Sequence, residues 1–186
     1  MTSHFLPPCQ EDLLLSWTGN PPLAATERAV LVGVELSGAS DHHELAQDES
    51  LAELGTLAES AGAEVAAQVQ QKLKAADPRT FIGRGKAAEV RALAHERGAT
   101  LAIFDDALSP AQARNLENEL KLRVIDRSQL ILDIFAQRAR TLEGKLQVAI
   151  AQLAYMQPRL TRQWAHLSRM TGGAGAGGRI GTRGPG

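Results

Sequence analysis

Arginine, glycine and one tryptophan are concentrated near the carboxyl end of the sequence, where they could contact a phosphate backbone. Guanidinium groups form paired hydrogen bonds with phosphates, an indole ring can stack on a base, and glycine allows close approach of the backbone. The candidate contacts are Arg159, Arg162, Trp164, Arg169, Arg179, Gly181, Arg183 and Gly184. These residues predict an RNA-binding segment, and a basic linker without a ligand is the alternative.

The charge of the chain is unevenly distributed. The whole sequence holds 20 Lys and Arg residues against 21 Asp and Glu residues. No acidic residue follows Glu143, whereas six basic residues do, so residues 1–143 have a net charge of −7 and the remainder +6. The pattern indicates an acidic body that carries a basic tail.

A second candidate site is a glycine-containing turn at a predicted helix start, formed by Gly83, Arg84, Gly85 and Lys86. Free amide groups at a helix start attract anions, and the two cations add positive charge. Asp105 ends a predicted strand, and ligands gather at that end of the strands in open α/β sheets. This set predicts a site for a phosphate of RNA or of a nucleotide, and a plain turn with solvated charges is the alternative.

The sequence lacks the phosphate-binding loop of GTPases. Nowhere is a glycine followed by four residues and then by Gly-Lys and a serine or threonine. The run 173–178 matches the dinucleotide-binding pattern in letters, but no strand is predicted before it and no helix after it. The single cysteine, Cys9, excludes a disulfide within the chain and a multi-cysteine zinc site. We therefore expect no cofactor, no metal and no GTP hydrolysis in this chain alone.

Short apolar segments alternate with helical stripes between residues 29 and 139. The predicted strands are 29–36, 64–73, 100–104 and 123–125, and the predicted helices begin at Ser50, Gly85, Ser109 and Ser128. Connections of this length are too long for hairpins and imply right-handed crossovers. The predicted fold is therefore α/β, with a small parallel four-stranded sheet and flanking helices, and the alternating strand 64–73 is placed near an edge.

A different pattern follows this region. Apolar residues recur at spacings of four and three, as in a helix that pairs with another helix, at Leu142, Leu146, Ala149, Leu153, Met156 and Leu160. Pro158 is expected to kink or restart this helix near Gln157. The helix either lies back on the α/β domain or pairs with a helix beyond Gly186. The expected divisions are a linker or disordered terminus (1–27), the α/β domain (28–139), the helix (140–170) and a Gly/Arg-rich loop (171–186).

Several motifs occur in an order that resembles one known family. They are Phe81–Lys86 (FIGRGK), Asp126–Phe135 (DRSQLILDIF), Arg138–Gln147 (RARTLEGKLQ), Tyr155 with Pro158–Leu160, and Gly181–Gly186 (GTRGPG). In these motifs the chain resembles the N-terminal region of the HflX family of ribosome-associated GTPases. The resemblance covers the sequence from about Arg28 to its end, but the GTPase domain of the family is missing from it.

The resemblance implies a ribosome-binding module with an α/β domain and the first helix of a hairpin, which precede a Gly-rich loop. Its expected partners are the large ribosomal subunit with its ribosomal RNA and the missing GTPase domain. The loop residues Arg179, Gly181, Arg183 and Gly184 would contact ribosomal RNA. GTP and Mg²⁺ are expected only for the full-length family member, which would aid the separation of stalled ribosomes. A nucleotide-binding α/β domain and a purely regulatory domain are the alternatives.

The sequence also bears on where the chain acts and with what it associates. No run reaches the roughly 20 apolar residues that a membrane helix needs, and no signal peptide is visible at the amino end. A cytoplasmic protein without a membrane span is therefore expected. Self-association is a further possibility, because an exposed helical seam can pair with a second copy.

Overall fold

The computed structural model describes residues 27–36 and 43–171. Strands β1 to β4 cover Arg28–Leu36, Glu64–Leu73, Leu101–Phe104 and Arg123–Asp126, and helices α1 to α5 cover His43–Ser60, Arg84–Arg97, Pro110–Leu120, Arg127–Arg138 and Leu142–Thr171. Strands and helices alternate up to α4, as the sequence predicts. The expected linker before residue 27 and the Gly/Arg-rich segment after residue 171 lie outside the described residues.

The four strands form one parallel sheet in the order β2-β1-β3-β4. Strand β1 is central, and its continuous apolar run is buried because helices cover both faces of the sheet. Strand β2 lies at an edge, where its residues are exposed or partly exposed except for Val69, which is buried. The predicted parallel sheet and the edge position of β2 are both confirmed.

Alternate residues of β1 point into two separate apolar layers. Val30 and Val32 pack with helices α2 and α3, whose Val90 and Leu116 are fully buried. Leu31 belongs to the other layer, which α1 and α4 fill with a set of buried apolar side chains, Leu51, Leu54, Ala58, Leu130 and Ile134. The sheet therefore separates two apolar layers, each of them covered by one pair of helices.

Local signals in the sequence determine two of the helix ends. The Ser109 hydroxyl accepts a hydrogen bond from Gln112 N–H while the Gln112 side chain accepts one from Ser109 N–H, so the predicted capping box before α3 is confirmed. Gly98 ends α2 with a φ of 63°, and its N–H donates to the carbonyls of Ala94 and His95. A side chain at that φ would be strained, which explains glycine at the position.

The predicted start of α1 at Ser50 is wrong. The helix begins at His43, and Ser50 lies inside it. Its hydroxyl donates to Asp105 Oδ2 at 2.5 Å instead of capping a helix. A serine followed three residues later by glutamate satisfies the capping pattern in letters, but here the serine has a tertiary partner that the pattern cannot indicate.

Helix α5 is continuous from Leu142 to Thr171. The expected restart of the helix near Gln157 is therefore not observed. Pro158 lacks an N–H and removes one helical hydrogen bond, yet the helix continues on both sides of it. The helix packs against α3 and α4. The helix thus lies in part on the α/β domain, while Leu142, Leu146 and Leu153 of the predicted seam are exposed. Pairing of the seam with a further helix stays a prediction.

Candidate functional site

The carboxylate of Asp126 lies at the point where β4 ends and α4 begins, and the residue is only 2% exposed. Its Oδ1 caps α4 by accepting from Gln129 N–H at 3.0 Å, and its Oδ2 accepts from Leu108 N–H at 3.1 Å. Leu108 belongs to the loop between β3 and α3. The carboxylate therefore ties together a strand end, a helix start and the neighbouring loop.

Two side chains of α5 reach the same carboxylate. The Tyr155 hydroxyl donates to Oδ1 of Asp126 at 2.8 Å, and Nη2 of Arg159 lies 3.2 Å from Oδ2. Nη2 of Arg159 also donates to the Leu108 carbonyl at 3.0 Å, while Nη1 donates to the Tyr155 carbonyl. We call Asp126, Tyr155 and Arg159 the helix clamp, because they connect α5 to the α/β sheet.

Tyr155 keeps its proton in this setting. Burial raises the pKa of its hydroxyl above the ordinary value, and the neighbouring negative charge of Asp126 adds to the increase. The phenol therefore remains a hydrogen-bond donor at neutral pH, as the contact with the carboxylate requires. The guanidinium of Arg159 lies over the Tyr155 ring, with 3.6 Å between its central carbon and the ring centroid.

The second predicted site, the turn before α2, is open to solvent. Gly83 precedes the helix in an extended conformation, and Arg84 is its first residue. A Cβ added to Gly83 or to Gly85 would meet no atom within 4 Å. Lys86 forms an ion pair with Glu89 at 2.8 Å, and the first turn of α2 contains no acidic residue. These features leave room for an anion at the helix start.

Asp105 is not part of that turn. Its carboxylate accepts hydrogen bonds from Ser50 of α1 and from Nη1 of Arg127, the latter at 3.0 Å. Nη2 of Arg127 in turn lies 2.6 Å from Oε2 of Glu53. Ser50 and Glu53 lie in α1, and Arg127 begins α4. Helices α1 and α4 cover the face of the sheet opposite α2, so the structure places Asp105 and the glycine turn on different faces.

The next residue of this loop shares the environment. Burial raises the pKa of Asp106, and the negative charge of Asp105 raises it further. The carboxyl end of β3 therefore carries an acidic pair, of which one member, Asp105, forms an ion pair with Arg127. Within residues 27–36 and 43–171, however, no three His, Cys, Asp or Glu side chains are grouped as a metal ion would require.

The predicted RNA contacts fall into three groups. Arg159 belongs to the helix clamp. Arg162, Trp164 and Arg169 lie on α5, where the structure describes the backbone and not the side chains. The remaining predicted contacts, Arg179, Gly181, Arg183 and Gly184, lie outside the described residues.

Sequence reasoning missed two members of the helix clamp, Asp126 and Tyr155, as well as their contact with Leu108. One signal was available, since Tyr155 and Arg159 are four residues apart and such pairs lie on the same side of a helix. An acid directly before a predicted helix also suggests an N-cap. That these groups meet depends on how α5 packs on the sheet, which neither signal contains.

An apolar stripe remains exposed on α5. Leu142 is 72% exposed, Leu146 49%, Ile150 67% and Leu153 44%. With 3.6 residues per turn these positions lie on one side of the helix, roughly opposite the clamp residues. Three of the four belong to the predicted seam, and we call these four residues the α5 stripe.

Comparison with known proteins gives the family of the chain. Residues 48–136 match a family model described as GTP-binding GTPase N-terminal, and residues 138–186 match one described as GTP-binding GTPase Middle Region. The GTPase HflX of Escherichia coli (strain K12) is 49% identical over 162 residues, which are 87% of this chain and 35% of the relative. This chain belongs to the HflX family.

Other HflX proteins match the same part of the chain. The GTPase HflX of Alkalihalophilus pseudofirmus is 46% identical over 160 residues, which are 86% of this chain and 36% of that relative. The chain thus spans about a third of the length of the curated relatives it matches and corresponds to the N-terminal region of the HflX family.

Solved structures of GTP-binding proteins share the HflX-type fold seen here. A GTP-binding protein from the archaeon Sulfolobus solfataricus in complex with GDP has a TM-score of 0.55 and 23% identity, covering 78% of this chain and 42% of the other. At that identity the likeness concerns the fold. No helix in the described part of this HflX-family chain is long and apolar enough to cross a membrane.

Proposed function

We propose that this chain is the ribosome-docking part of an HflX-type GTPase and binds the large ribosomal subunit through the basic segment that begins on α5. The longer protein, with GTP and Mg²⁺ in a GTPase domain, would use this contact to aid ribosome splitting and rescue in the cytoplasm. The chain without that domain would bind RNA without hydrolysing GTP.

The observation that carries the proposal is the combination of α5 with the charge of the segment it leads into. The helix has 30 residues, so it is roughly 45 Å long at 1.5 Å per residue. It continues past Arg159 to Thr171, and no acidic residue follows Glu143. The 12 residues that follow Arg159, roughly 18 Å at the same rise, can carry the basic segment beyond the acidic α/β domain, which an RNA surface would otherwise repel.

Counterion release provides the test. Binding of the chain to isolated large subunits should weaken steeply between 50 and 200 mM salt, a range in which several phosphate contacts lower affinity by orders of magnitude. Changing Arg179 and Arg183 to alanine should reduce the slope of log K against log salt by roughly 1.5, at about 0.7–0.9 per lost phosphate contact. Arg97→Ala with Arg114→Ala is the matched control, because these two arginines lie in α2 and α3.

Two results would contradict ribosome docking. One is absence of binding to large subunits at low ionic strength. The other is an affinity and a salt slope that the double change at Arg179 and Arg183 leaves the same as in the control. Either result would leave the fold and family assignment intact, because those rest on the sheet topology and on sequence identity.

We propose that, in the longer HflX proteins, an amphipathic helix from the part outside the matched region covers the α5 stripe. The exposed positions recur at the spacings of a helix pairing seam. About two thirds of the length of the curated relatives lies outside the matched region, since 35% of the Escherichia coli protein is covered. In the absence of such a helix, the stripe is available for pairing with a second copy of the chain.

A second candidate function, binding of a nucleotide phosphate at the turn before α2, is favoured by the open space around Gly83 and Gly85. Glycine at a helix position where a side chain would meet nothing lowers helix stability without a packing reason, which suggests close approach of a ligand. Calorimetry with ATP and GTP tests this, with Gly85→Ala and Lys86→Ala expected to reduce the heat. Absence of heat from both nucleotides would favour a regulatory domain instead.

A further inference from the structure

We infer that Tyr155 and Arg159 are positioning residues, which fix the direction of α5 relative to the sheet by binding the buried carboxylate of Asp126. The inference concerns the geometry of the helix, and it rests on the proposed function only for what lies at the end of the helix. It gives Arg159 a role different from the RNA contact that the sequence suggests.

The first step is the rigidity of the acceptor. Asp126 pairs through its backbone with Phe104 of β3, and its carboxylate accepts from two main-chain N–H groups, those of Leu108 and Gln129. These contacts hold the carboxylate in place without any help from α5. The helix therefore docks on a preformed acceptor rather than on a side chain that must be ordered first.

The second step is that Arg159 directs its guanidinium to its own protein. Nη2 bonds both the Asp126 carboxylate and the Leu108 carbonyl, while Nη1 bonds the Tyr155 carbonyl. The central carbon of the group lies over the Tyr155 ring, 3.6 Å from its centroid. These contacts use three of the five guanidinium N–H groups, so a phosphate would have to compete with them or bind through the remaining two.

The third step is the distance between the two attachments of the helix. The chain enters α5 at Leu142 directly from α4, which ends at Arg138. Tyr155 and Arg159 lie 13 and 17 residues beyond Leu142, or roughly 20 and 25 Å along the axis at 1.5 Å per residue. A rod held at one end can pivot, whereas a rod held at two separated points keeps its direction. The clamp supplies the second point.

The part of α5 beyond Arg159 moves with any change in the direction of the helix. The helix continues for 12 residues past Arg159, roughly 18 Å at the same rise, before the Gly/Arg-rich segment begins. A small change in angle at the clamp is magnified at Thr171. Loss of the clamp should therefore alter where the basic segment is presented without removing any of the arginines proposed to bind RNA.

The direct test is a distance between two spin labels in the full chain. Cys9 is replaced by alanine, and labels are placed on Glu59→Cys in α1 and Gln157→Cys in α5, both at exposed positions. The labelled parent, in which the clamp is intact, and the labelled control variant Arg97→Met should give the same narrow distance distribution. Tyr155→Phe and Arg159→Met should each broaden it, and the double variant should broaden it most.

A conservative variant separates positioning from simple loss of stability. Arg159→Lys keeps the positive charge but not the planar fork, so it should narrow the distribution only part of the way towards that of the parent. Circular dichroism and urea unfolding of each variant show that the α/β domain is folded. A double variant that is folded and has the parent distribution would overturn the inference.

Ribosome binding is measured on the same variants to keep the two proposals distinguishable. If the labels report a pivoting helix, affinity for large subunits should fall about tenfold, while the salt slope stays that of the parent because no phosphate contact is lost. If neither the parent nor any variant binds ribosomes, the ribosome-docking proposal is contradicted, but the distances between the labels still decide the role of the clamp. A lower salt slope in Arg159→Met would show that this arginine contacts RNA and would overturn the positioning role.

Discussion

Arg159 lies over the ring of Tyr155, one helical turn earlier, with 3.6 Å between the guanidinium carbon and the ring centroid. The two side chains also share an acceptor, since both donate to the Asp126 carboxylate. The ring contact limits where the guanidinium can lie, and the common acceptor holds both side chains against the sheet. A contact within α5, between Tyr155 and Arg159, is thus linked to the contact of both residues with Asp126 at the end of β4. Predictions follow for Asp126 and for Arg159.

Asp126→Ala should destabilise the chain more than Arg159→Met. The alanine variant loses the N-cap of α4 and the acceptor of the buried Leu108 N–H, for a combined decrease of roughly 2–4 kcal/mol in the free energy of unfolding. Arg159→Met leaves Asp126 with three donors, and we expect a decrease of about 1–2 kcal/mol. Urea unfolding measures both. Equal effects would mean that the carboxylate is stabilised mainly by the guanidinium rather than by the main chain.

Asp133 should make stability depend on pH. Burial raises the pKa of its carboxyl to about 6, although Arg123 opposes the shift, and its Oδ2 is 4.0 Å from Nη2 of that arginine. A carboxyl with a raised folded-state pKa binds its proton more tightly in the folded state. The contribution of Asp133 to the free energy of unfolding should therefore fall as pH rises from about 4 to about 6, and stay lower above that range.

Asp133→Asn should remove this dependence and be more stable than the parent at pH 8 by on the order of 2–3 kcal/mol, because the pKa of Asp133 is raised to about 6 in the folded state. Urea titrations of both proteins at pH 4, 6 and 8 give the difference directly. Subtracting the two curves cancels the carboxylates with lowered pKa values, such as Asp77, which accepts main-chain hydrogen bonds from Thr80 and Arg79. A difference that stays constant with pH would contradict the assignment to Asp133.

Two glycines should respond to alanine in opposite directions. Gly55 lies inside α1, and an added Cβ would meet Leu31 Cδ1 at 3.6 Å, which is an ordinary contact. Because glycine within a helix is less stable than alanine by about 1 kcal/mol, Gly55→Ala should raise stability by roughly 0.5–1 kcal/mol. Gly98→Ala should lower it by about 1–2 kcal/mol because of the positive φ.

Thermal melting is sufficient to compare these two variants, since 1 kcal/mol corresponds to a change in Tm of roughly 2–4 °C in a chain of this size. The pair acts as its own control, because each change adds a single methyl group. If both variants moved Tm in the same direction, the environment described for one of these glycines would be wrong.

The α5 stripe should be dispensable for folding of this chain. Changing Leu142 and Ile150, the two most exposed members of the stripe, to glutamine removes apolar groups that are largely in water already, so the free energy of unfolding should change by less than about 0.5 kcal/mol. Any concentration-dependent association should weaken, as measured by analytical ultracentrifugation. Val148→Gln is the contrasting variant. Val148 is half-buried, so this change should destabilise the fold. Loss of stability in the stripe variant would mean that the stripe is packed within this chain.

Much of the fold follows from local patterns. The buried run of β1, the capping box at Ser109 and the left-handed Gly98 each specify one element through the immediate sequence, and each is observed. The start of α1 failed because Ser50 satisfies a capping pattern but bonds Asp105, which is 55 positions away. Local patterns succeed where the partner is nearby in sequence, and fail where packing supplies it.

The site was harder to predict because one residue type can serve two chemistries. Arg159 has the same guanidinium whether it binds a phosphate or a carboxylate, and its position next to a basic segment favoured the phosphate. The deciding facts are the placement of Asp126 at the end of β4 and the approach of α5 to the loop at Leu108. Both are properties of the packed sheet and helices.

The clamp and the stripe occupy opposite sides of α5. The sheet and a second helix can therefore contact α5 at the same time. A helix that covers Leu146 and Ile150 approaches from the side away from Asp126, so it meets no clamp residue and displaces none of the clamp hydrogen bonds. Free energies gained on the two sides should then add, with little interaction between a change on one and a change on the other. A single helix can thus serve both as a wall of its own domain and as a surface for a second helix.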